Sequence, residues 1–80
     1  MRSIRADVRN PLLALPAAQQ LTALPIDSQV ALRGLLKQIS ADARVRAERC
    51  WKTHKAPMAA YWKAVAVYAN HTSRLLAKGD

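Results

Sequence analysis

Eighty residues bound the chain to one domain, and at this size only ~60–65% of the unfolded surface is buried, so a single core is marginal and pairing with a second copy is a common remedy. Apolar residues at 51% argue against disorder of the whole chain, and abundant Ala with no Phe and two Gly favours helix over sheet. Thirteen Lys and Arg against five Asp and Glu give a net charge of +8, a field that attracts nucleic acid, an acidic protein or an anionic membrane surface, unless it serves only solubility.

Residues 1–10 carry Arg2, Arg5 and Arg9 and read as a flexible basic arm. The arginines followed by an apolar run raise a signal peptide. Asp7, Pro11 and Pro16 leave only Leu12–Leu15 unbroken, short of the ~7–15 residues such a core needs, so none is expected. No stretch approaches the ~18–20 apolar residues of a membrane span. Asn10-Pro11 opens a turn, and the stretch 16–24 suits a short helix with Pro16 in its first turn and Pro25 at its end.

A long helix is predicted over about 27–54, with Asp27 or Ser28 as cap. Leu32, Leu35, Leu36, Ile39, Ala43, Ala47, Cys50 and Trp51 recur at the spacing of one helical face. Pro57 disfavours helix at the residue before it and suits the first turn of the next helix, predicted over about 57–77 with Gly79 beyond it as C-cap. Met58, Tyr61, Val65, Tyr68, Thr72 and Leu75 form its stripe, widened by Trp62, Ala69 and Leu76. Stripes at helical spacing usually make a core, so Tyr61 and Tyr68 are expected inside; Trp51 and Trp62 fall at stripe edges near the turn.

The short connection makes the two long helices antiparallel neighbours. Counted back from the turn, Val65 should meet Ala47, Ala69 should meet Ala43, and Leu76 should meet Leu36. Between Ala56 and Ala69 only Lys63 is charged, so the second long helix should be covered on one side by the first and on the other by the Leu12–Leu24 segment or a second subunit. The expected fold is therefore all-α: one domain over 11–80, a long antiparallel helical hairpin with a short N-terminal helix packed across it, forming a dimeric bundle.

The strongest functional signal lies opposite the apolar stripe of the first long helix. Arg33, Lys37, Arg44, Lys52 and Lys55 cluster there over ~33 Å, comparable to one turn of B-form DNA. Glu48 sits among them and can pair with Arg44 or Lys52. Such a row fits a phosphate backbone without base readout, and Trp51 and Trp62 beside Lys52, Lys55 and Lys63 can add a stacking surface for single strands. The alternative is a solvated face, or one that meets an acidic protein. No zinc-finger, basic-zipper or RNA-recognition pattern is present.

Other chemistries find little support. A lone Cys50 excludes an internal disulfide framework and fits a reducing, cytoplasmic setting. Cys50 and His54 are one turn apart, but with only His71 as a further imidazole they complete a zinc site only between two subunits. Five scattered carboxylates and two glycines offer neither an acid/base pair nor a phosphate loop, so no catalysis, no cofactor and no small-molecule substrate are expected.

The segment KAPMAAYWKAVAVYANH resembles small basic proteins carried on bacterial integrative elements and related mobile DNA, over residues 49–71 at most. The resemblance brings no active-site motif. It implies one of two settings: handling the element's DNA, or inhibition of a host machine by docking on it. Together these readings give a non-enzymatic nucleic-acid-binding protein, with a protein-interaction module as the alternative.

Overall fold

The computed structural model describes residues 11–78, and all its regular elements are helical. A 3-10 turn at Pro11–Ala14 leads into α1 (Pro16–Leu21), α2 (Ile26–Lys52) and α3 (Ala56–Ser73). The expected basic arm and Gly79 cap lie outside the described residues. No described helix is long and apolar enough to cross a membrane.

α1 ends three residues before its expected limit. Beyond it, Ala23 and Leu24 donate to the carbonyls of Gln20 and Leu21, three residues back, so the coil tightens into 3-10 turns ahead of Pro25. α2 starts at Ile26 rather than at a side-chain cap. Pro25 holds the N-cap position, its carbonyl accepting from the Gln29 amide, and Asp27 sits in the first turn, where its charge suits the helix dipole.

α2 ends in a Schellman turn. Lys55 N–H donates to the Cys50 carbonyl at 2.8 Å and His54 N–H to the Trp51 carbonyl at 3.2 Å. His54 takes the left-handed conformation, φ 64°, that glycine usually fills. This compact reversal launches α3 at Ala56, with Pro57 in its first turn as the sequence predicts.

α2 and α3 make up the packed body of the molecule. Their seam is built from small side chains. Ser40, Ala43, Ala59, Ala66 and Ser73 are buried, with Leu36, Ala47 and Ala69 half-buried beside them. The buried positions of α2 recur at 29, 40 and 43, and half-buried Arg33, Leu36, Ala47 and Cys50 complete a repeat of alternating four- and three-residue steps. That is the geometry of near-antiparallel helices packed along a narrow seam. Ser40 Oγ donates to the Ala66 carbonyl at 2.7 Å, a side chain-to-backbone reach across the seam that only a close approach of the two helices allows.

This bond corrects the expected register. Together with Arg33, which donates to the Ser73 carbonyl at 3.0 Å, it centres the hairpin at Thr53, not at Ala56. Val65 therefore lies far from Ala47, and Ser40 and Ala43 meet the middle of α3. The reversal falls earlier in the chain than the sequence count assumed, because α2 ends at Lys52 and the Schellman turn follows directly.

Two further expectations fail. Tyr61 is 56% and Tyr68 60% exposed, so the aromatics do not form the core. The seam is too narrow for them, and the alanines take it. Nor does the N-terminal segment cover α3. The close neighbours of α1 are chiefly the 3-10 turn before it, and the tie to the hairpin runs through buried Gln29. Its amide nitrogen donates to the Thr22 and Leu24 carbonyls, and its oxygen accepts from Ala77 N–H, joining the N-terminal connector to the end of the chain.

Candidate nucleic-acid interface

The narrow seam gives the hairpin two broad faces. Projected at 100° per residue, one carries Lys37, Arg44, Trp51 and Lys52 from α2, with Lys63, Val67 and Arg74 from α3. The other carries Leu35, Ile39 and Arg46 with Met58, Tyr61, Trp62, Val65 and Tyr68. Arg46 lying over the Trp62 ring, 5.3 Å from its centroid, fixes the pairing of sides on the second face.

A groove of about 600 Å³ runs along the first face. Its floor is apolar: Ala47, Ala56, Ala59, Ala60, Ala66 and Val67. Its rim is charged: Arg44, Glu48 and Lys52 from α2, with Lys63 across from them on α3. Trp51, 68% exposed, stands in the same lining. Three cations to one carboxylate leave the rim positive. Glu48 reaches Lys52 at 3.5 Å, an exposed pair of the kind worth ~0–1 kcal/mol and open to competition from an anion.

The seven residues singled out by the sequence divide. Arg44, Lys52 and Trp51 come together in the groove, and exposed Lys37 continues their row two turns toward the start of α2. Arg33 does not join them as a free cation. Half-buried, it uses Nη1 to hold the Ser73 and Leu76 carbonyls at 3.0 and 2.9 Å and so closes the end of α3. Lys55 is exposed but stands in the turn, off the helical row. The row therefore runs from Lys37 to Lys52, about 22 Å of helix, and not the full length of a DNA turn.

Trp62 is the clear departure. It sits on the other face, half-buried under Arg46 and edge-on to Tyr61 at 5.1 Å, so the two tryptophans do not form one stacking surface. Lys63 is the site residue that sequence reasoning left out of the row. It stands on α3, and only the hairpin register brings it opposite Arg44.

Metal chemistry gains nothing from the fold. His54 leaves the helix in its left-handed conformation, so it no longer shares a face with half-buried Cys50. Among the described residues no three His, Cys, Asp or Glu side chains gather to hold an ion. No protein-family model, curated protein or solved structure matches the chain.

Proposed function

We propose that the chain is a non-enzymatic nucleic-acid-binding protein whose groove takes a single strand. Lys37, Arg44, Lys52 and Lys63 neutralise phosphates along the rim, and Trp51 stacks on an unpaired base. The observation that carries this reading is the groove itself: an exposed indole and three cations around an apolar floor. Phosphates seek the cations, and a base face seeks the indole and the alanines. A duplex keeps its base faces stacked inside and uses only the first half of that chemistry.

Binding of this kind releases counterions, so affinity falls steeply with salt. The test is a titration with mixed-sequence oligonucleotides, single-stranded and duplex, at about 50 and 200 mM salt. The expected result is tighter binding of the single strand, weakening several-fold at the higher salt. No binding at the lower salt would leave the charge as a solvated face and remove the reading.

A further inference from the structure

We infer that the face opposite the groove is the interface for a second copy of this chain, packed about a two-fold axis near Val65, so that the dimer carries its two grooves outward on opposite sides. The core of one hairpin motivates this. The buried hydrophobic residues are Ala18, Ala43, Ala59, Ala66 and Leu76, four of them alanines. Several of the large apolar side chains lie outside: Leu35 at 56%, Ile39 at 46% and Met58 at 46%, beside exposed Tyr61 and Tyr68. They share one face, and a monomer leaves that face in water.

Charge selects the occupant. Two copies of a chain with net charge +8 repel through any basic surface. They approach most easily through the side with least charge, and α3 contributes none to this face. From α2, Arg46 lies on the face itself, over the Trp62 ring, and Asp42 of opposite sign stands one turn before it, so a second copy can answer that cation with a carboxylate.

The layout is also nearly symmetric about Val65. Met58 and Tyr61 precede it by seven and four residues; Tyr68 and Thr72 follow by three and seven. On α2 the apolar residues stand at one end only. The cross-seam bonds of Arg33 and Ser40 put Leu35 and Ile39 beside the Tyr68 end of α3. A half-turn about Val65 that lays α3 on α3 sets Met58 against Thr72 and Tyr61 against Tyr68 of the second copy, with Leu35 and Ile39 of each chain flanking its own Tyr68 end. α3 alone is about 27 Å long, and two helices abreast offer a footprint of the order that one partner of a standard interface, ~800 Å², contributes. With the nucleic-acid reading of the groove, on which this last consequence rests, such a dimer holds two strands at once.

Sedimentation equilibrium of the wild-type chain tests the pairing, with an expected mass twice the 8.8 kDa of one chain at about 50 µM. Ile39→Lys is expected to return the mass to one chain. Should that variant lose its helix, cross-linking decides instead. In a Cys50→Ser background, Val65→Cys is expected to form a disulfide-linked dimer on oxidation, while Val67→Cys, in the groove, does not. A wild-type monomer, or cross-linking through Val67 and not Val65, would overturn the proposal. A dimer that cross-links through Val65 and binds no oligonucleotide sustains it and removes the groove reading alone.

Discussion

At Gly34 a side chain has been left out of a helix without structural need. An added Cβ meets nothing within 4 Å, and glycine in a helix interior costs ~0.5–1 kcal/mol relative to alanine. Gly34→Ala is expected to raise stability by about that amount, read as a higher denaturant midpoint with unchanged slope. His54 presents the reverse case, a side chain in a left-handed position that favours glycine. His54→Gly should relieve about 1 kcal/mol and raise Tm by roughly 4–8 °C. Arg33 is half-buried and tied by Nη1 to the end of α3, so it is not the free cation its sequence position suggests. Arg33→Ala removes two charge-assisted bonds to the end of α3, and a loss of about 2 kcal/mol in stability is expected. Its effect on oligonucleotide affinity, measured where the variant is fully folded, should be small beside that of Arg44→Ala.

At the scale of the elements, the seam decides everything else. Ala43 is 2% exposed in the seam between the two helices, so Ala43→Leu forces them apart. A destabilisation of about 1–3 kcal/mol or more is expected by denaturant unfolding, although the substitution favours helix and apolarity. This is also where the sequence was legible and where it was not. Pro16, Pro25 and Pro57 punctuate the chain, and the periodic apolar residues between them disclosed three helices and their antiparallel pairing. The side that faces inward was not legible from hydrophobicity. Ranking residues by apolar character puts Leu35, Ile39, Tyr61 and Tyr68 at the centre of the stripe. The structure puts Ser40, Ala43, Ala66 and Ser73 there, because close helix approach rewards small size. That rotation carries Trp62 away from the groove and brings Lys63 into it. The basic row on α2 survives the change, since Lys37, Arg44 and Lys52 remain opposite Leu35 and Ile39. Its two ends do not, because a cap consumes Arg33 and a turn displaces Lys55.

At the scale of the whole molecule, the two faces divide attraction between them. One presents cations around an apolar floor; the other presents apolar side chains with almost no charge. Salt acts on them in opposite directions, since screening weakens phosphate contacts and reduces repulsion between copies. Raising salt should therefore loosen oligonucleotide binding and, over the same range, strengthen self-association in sedimentation. Arg44→Ala combined with Lys63→Ala should lower the slope of log affinity against log salt by about 1.4 for a single strand, at ~0.7 per phosphate contact. Self-association should not weaken in that variant, since the loss of two cations per chain can only reduce repulsion between copies.

The position of the two tryptophans on opposite faces gives the most direct measurement. In Trp62→Phe the remaining fluorescence comes from Trp51 in the groove; in Trp51→Phe it comes from Trp62 under Arg46. Each variant is titrated with a mixed-sequence single strand at about 50 mM salt. Quenching in Trp62→Phe, with little change in Trp51→Phe and an affinity lowered by the loss of the larger indole, is the predicted result. Quenching of Trp62 alone, or no response and no binding from either protein, would contradict a nucleic-acid site in the groove.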